Sequence, residues 1–154
     1  MPNTLQQFLA GATQKAAADL EAAVLRLPEE KRGWSPAEQS RSALDQAAEC
    51  AILNGGVANL IQTRVFPQGF DFAAFEKTKQ ELAQDWSAVK ALLDENTPKA
   101  IAAIGAVSDE DLGIEIQMPW GPSTLAQIIS FPYWNMSYHE GQINYIASIL
   151  GCLP

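Results

Sequence analysis

At 154 residues, with 47% of them apolar and no block of like charge, the chain is long enough to bury a core without disulfides and too apolar to remain disordered. Its net charge of −8 weighs against the basic footprint that nucleic acid or an anionic membrane surface requires, so neither partner is expected. The expectation is one domain over residues 1–154.

The opening stretch MPNTLQQFLAGATQ has neither the basic start nor the apolar run of a signal peptide. No later segment reaches the roughly 20 apolar residues that cross a bilayer, so a cytoplasmic protein is expected. From Thr4 to Leu27, apolar residues recur three and four apart (Leu5, Phe8, Leu9, Ala12, Ala16, Leu20), which predicts a first helix ended by Pro28. The segment PEEKRGWSPAEQSR is a loop punctuated by Gly33 and Pro36.

Ser42, three residues before Asp45, reads as the cap of a second helix that runs to about Val65. Cys50 lies in its alanine-rich part, and with Cys152 it is expected to be a free thiol. Gly55-Gly56 sits mid-helix, where each glycine costs about 1 kcal/mol relative to alanine. Such a pair suits the close approach of another backbone or a ligand.

Phe70, Phe72 and Phe75 form a short aromatic anchor after a Pro67–Gly69 turn. A third helix carries Leu82, Trp86, Val89 and Leu93 on one face and is expected to end near Asn96. Thr97-Pro98 then reads as the cap and first residue of a short helical piece ending near Val107. Ile114, Ile116 and Met118 alternate with polar residues, which predicts one short extended crossover. The last helix starts at Ser123 or Thr124 and runs to about Leu150, before Gly151. The fold class is therefore all-α, an antiparallel four-helix bundle.

On the last helix Ile128, Pro132, Asn135, His139 and Gln142 share a stripe, and His139 is the one histidine of the chain. On the second helix Glu49 shares a mostly apolar face with Asp45, Leu53 and Gly56. A carboxylate buried there needs a partner, and His139 or a cation would serve. No serine–histidine–aspartate triad, phosphate-binding glycine loop or zinc-finger cysteine spacing is defensible.

Two stretches resemble the DinB-like (YfiT-type) family: LPEEKRGWSPAEQSRSALDQAAECA and MPWGPSTLAQIISFPYWNMSYHEGQINYIASILGCLP. The second carries a histidine followed by x-Gly-Gln, and a terminal Gly-x-x-Pro. The resemblance implies a helical bundle with a divalent metal held by three histidines, one on the second helix and an i, i+4 pair on the last. Those positions fall here on Glu49, Asn135 and His139, so one of the three is retained. A carboxylate, an amide and an imidazole suit magnesium, manganese or zinc, with nickel carried over from the family; the alternative is no metal and a hydrogen-bonded polar cluster. Trp34, Trp120, Trp134 and Tyr138 are candidates for the adjoining pocket.

Two functions remain open. One is a metal-dependent hydrolase or thiol transferase, in which the metal lowers the pKa of water or a thiol. The other is a non-catalytic, small-ligand-binding or stress-related bundle whose metal site has degenerated. A homodimer is the expected assembly in either case.

Overall fold

Residues 4–154 are described by a computed structural model. Met1, Pro2 and Asn3, which open the stretch read above for a leader, lie outside the described residues.

Thr4 caps the first helix, α1 (Leu5–Arg26), by accepting from the Gln7 backbone N–H, and the Gln7 side chain accepts from Thr4 in return. This reciprocal box satisfies two of the donors a helix start leaves open. Ser42 caps α2 (Ala43–Thr63) through the Asp45 N–H, at 3.1 Å. The helix ends on Arg64, whose backbone turns left-handed with φ 60°.

The next region departs from the sequence reading. Asp71 caps a helix α3 (Phe72–Leu82) through the N–H groups of Ala73 and Ala74, and Asp85 caps α4 (Trp86–Gly105) through Ser87. The break thus lies at Ala83–Asp85, and α4 runs through Thr97-Pro98 without interruption. Pro98 faces solvent, where the carbonyl of Asp94 that it leaves without a donor is open to water. Thr97 is buried instead and accepts from the Asn54 amide at 3.1 Å, so its hydroxyl is tied across helices rather than capping one.

The expected extended stretch is half of a hairpin. Strand β1 (Glu115–Met118) pairs antiparallel with β2 (Gly121–Thr124), in the register Glu115↔Thr124 to Met118↔Gly121. Gly121 holds φ 118°, a conformation that favours glycine, just after the two-residue turn. Thr124 ends the hairpin and also caps α5 (Leu125–Ile149), with Gln127 completing the box. The N–H groups of Leu125 and Ala126 reach back to the carbonyls of Ile114 and Leu112, at 2.8 and 3.0 Å.

The four long helices form the bundle: α4 and α5 each pack on both α1 and α2. One core cluster is rich in alanine (Ala16, Ala23, Ala47, Ala51, Ala147) around Leu20, Met136 and Ile143. A second, of Leu9, Val57, Ile61, Ile104, Leu125 and Ile129, packs under the hairpin. Helix α3 adds no buried residue to either core; its last residue, Leu82, packs on the alanine-rich one, and Lys79 is its one buried residue. Among the described residues no helix is long and apolar enough to cross a membrane.

Candidate functional site

Helix α2 turns Asp45, Gln46 and Glu49 toward α5 and α3, and the inward stripe of α5 brings His139 to meet them. His139 is 4% exposed. Its Nε2 lies 3.1 Å from Glu49 Oε1, and its Nδ1 lies 2.9 Å from Gln46 Oε1 and 3.0 Å from Gln142 Oε1. The amide nitrogen of Gln46 donates to the Arg41 carbonyl at 3.2 Å, which fixes the Gln46 oxygen as an acceptor. Nε2 faces the Glu49 carboxylate and Nδ1 faces the Gln46 and Gln142 side-chain oxygens, so the ring is held between oxygen atoms on both sides.

The other oxygen of Glu49 accepts from Arg41 Nη1 at 2.8 Å. Arg41 also binds the Asp45 carboxylate through Nε, and Asp45 in turn meets Lys79 Nζ at 3.4 Å. Lys79 reaches a further carboxylate, Glu76 Oε2, at 2.9 Å. The result is an alternating row of charges, Glu76–Lys79–Asp45–Arg41–Glu49, with His139 hydrogen-bonded at its end, that ties α3 and α5 to α2. Burial works against the Glu49 charge, but the His139 hydrogen bond and the Arg41 guanidinium together outweigh it and hold the carboxyl below its ordinary 4.5.

Asn135 does not join this row. It is buried one turn before His139, and its amide nitrogen points at Cys50 Sγ, 3.6 Å away. Burial first, and the neighbouring Glu49 charge second, push the Cys50 thiol far above its usual range, which leaves it without a reactive thiolate.

Glu49 also lines a cleft of about 690 Å³. Phe66, Phe70, Phe72, Phe75 and Trp120 make one side, with Phe70 5.5 Å from Phe66 and 4.9 Å from Phe72 between ring centres. Leu53, Val57, Leu60, Ile128 and Phe131 make the other, and Asn59, Ser123 and Gln127 add neutral polar groups. Gly56 lies in the wall with open space where a Cβ would stand.

Of the four aromatic residues named from sequence, Trp120 is among the lining residues. Trp34 packs against the alanine-rich core beneath Lys31, and Trp134 and Tyr138 stack on each other on the exposed side of α5. Arg41, Phe66 and Phe131 were not singled out from the sequence, and Leu53 was placed on the Glu49 face but not in a pocket. Arg41 stands one residue before the Ser42 cap, outside α2, so helical spacing gave no signal for it.

The family metal does not fit these donors. Both Glu49 oxygens and both His139 nitrogens are engaged within the protein, Asn135 is turned to Cys50, and a guanidinium already stands beside the carboxylate. Among the described residues, no group of three His, Cys, Asp or Glu side chains is gathered that could hold a metal ion.

Two solved structures share the fold. A DinB-like protein (YjoA) of Bacillus subtilis superposes with a TM-score of 0.67 at 15% identity, over 93% of this chain and 92% of its own. The colibactin self-resistance protein ClbS, in complex with a dsDNA, superposes with a TM-score of 0.65 at 16% identity, over 93% of this chain and 95% of its own. ClbS corrects one expectation. A bundle of this shape has been crystallised on duplex DNA, so a net charge of −8 is no ground for excluding nucleic acid as a partner. Net charge sums over the whole surface, whereas phosphate contacts are local. No curated protein matches the sequence. Residues 12–143 match the sequence pattern of the DinB superfamily, and the chain belongs to that superfamily.

Proposed function

We propose that this protein binds a small, largely apolar molecule in the aromatic cleft, with the Glu49–His139 pair at its polar end, and that it does so without a metal. The observation that carries this reading is the pairing of a large apolar cleft with a carboxylate whose surrounding cations are all committed to protein acceptors. Its volume lies in the range that encloses a ligand of drug size, roughly 300–1,000 Å³, and apolar walls with few polar groups are the usual make-up of such sites. A metal-dependent hydrolase or thiol transferase would need ligands turned toward a shared centre, and these side chains are turned toward each other.

The test uses Nile red, an uncharged fluorescent dye, in titration against the purified protein. The expected outcome is saturable binding that falls about tenfold in Gly56→Leu, whose side chain extends into the cleft from a helix position it suits. The same protein, purified without a histidine tag and dialysed against nickel, zinc, manganese or magnesium, should retain none in stoichiometric amount by elemental mass spectrometry. No dye binding, or metal retained in wild type and lost in His139→Ala, would overturn the reading.

A further inference from the structure

We infer that the cleft selects ligands that end in a hydrogen-bond donor, a protonated amine above all, and rejects those that end in an anion. The inference rests on the ligand-binding reading above and adds the chemistry of the head group. Glu49 is the one charged residue among those lining the cleft, and its side chain keeps 18% exposure. A carboxylate offers about four lone-pair positions. His139 and Arg41 take one on each oxygen, which leaves capacity for a donor arriving from the cleft.

Among the described residues, no cation is presented to an incoming anion. Arg41 is committed at Nε to Asp45, at Nη1 to Glu49 and at Nη2 to the Asp45 carbonyl, 3.2 Å away. Lys79 lies between Asp45 and Glu76. Both ring nitrogens of His139 are already taken up by protein oxygens, Gln46 Oε1 and Glu49 Oε1. A ligand carboxylate would therefore face the Glu49 carboxylate with no compensating charge, and like charges set against each other are a strong source of rejection. The aromatic side of the cleft adds to the preference for a cation, because Phe and Trp ring faces attract a positive head group.

The probes are phenylbutylamine, phenylbutanol and phenylbutyrate, which share one apolar body and differ in the head. Each displaces Nile red from the wild-type protein near neutral pH. The expected order is amine, then alcohol, then carboxylate, with the carboxylate about tenfold weaker than the alcohol. In Glu49→Gln, checked for folding by its circular dichroism, the three should fall within about threefold of one another. Dye binding with equal displacement by all three, or with the carboxylate strongest, sinks the head-group selection and leaves the cleft as a ligand site. Failure of the dye to bind sinks both. The wild-type series decides the matter even if the variant does not fold.

Discussion

Glu49 keeps a charge where water has largely been removed, and it does so because Arg41 and His139 each donate to one of its oxygens. A carboxyl whose folded pKa lies below its unfolded value adds stability that is fully present above the unfolded value. That contribution is lost as pH falls through the folded value. Glu49→Gln should therefore be less stable than wild type at neutral pH, by about 1–3 kcal/mol for a buried hydrogen bond to charge. The gap should close on acidification below 4.5, the ordinary value of the carboxyl. Chemical denaturation at a series of pH values measures it, and a gap that stayed constant into acid would refute the assignment. Glu49 and His139 were legible as neighbours because each sat on an inward stripe. Asn135 shares the stripe with His139, yet one helical turn displaces it by about 5–6 Å, enough to hand it to Cys50 instead. Gln142 was legible on the His139 stripe, whereas Gln46 was not, because a glutamine carries no charge that marks it as a partner before its neighbours are known.

The elements were legible where caps and long periodic runs agreed, as at Thr4, Ser42 and Thr124. They were misread where a local signal was overruled by packing. Thr97-Pro98 has the form of a helix start, but burying Thr97 against Asn54 and leaving Pro98 on the solvent side let α4 continue. Asp71 and Asp85 were the caps to trust, each followed two residues later by a backbone donor it accepts from. The hairpin was hidden because β2 contains Gly121 and Pro122, neither a strand former. The glycine pair of α2 divides between two neighbours. A Cβ at Gly55 would stand 2.7 Å from the Asn96 amide nitrogen on α4, a group already bonded to the Ala51 carbonyl at 2.9 Å. Gly55→Ala should displace that buried amide, and the loss should exceed the gain in helix propensity, for a net cost of about 1 kcal/mol. Gly56→Ala meets nothing and should gain about 0.4–1 kcal/mol. Thermal melts of the two variants should thus move in opposite directions, and a shared direction would mean that α2 and α4 are not in this close contact.

For the molecule as a whole, the acidic composition is a matter of arrangement as much as of sum. Most lysines and arginines are turned to carboxylates: Lys15 to Asp19, Lys90 to Glu21 and Asp94, Lys99 to Glu95, Arg64 to Asp111. The bundle was readable from its apolar periods, but the side that opens into a cleft was not, since Phe66 through Phe75 meet the hairpin only after the chain has folded back on itself. The burial of Cys50 within the alanine-rich core has a practical consequence. Cys152 is only partly buried, packed on the edge of that core, so an alkylating reagent should modify it within the native state. Cys50 should react only in molecules whose helices have come apart, and its labelling rate would then follow the population of the globally opened protein. With Cys152 replaced by serine, the native sequence carries its own clock for unfolding. A protection of Cys50 that a bound ligand strengthens would report occupancy of the cleft without a dye or a tag.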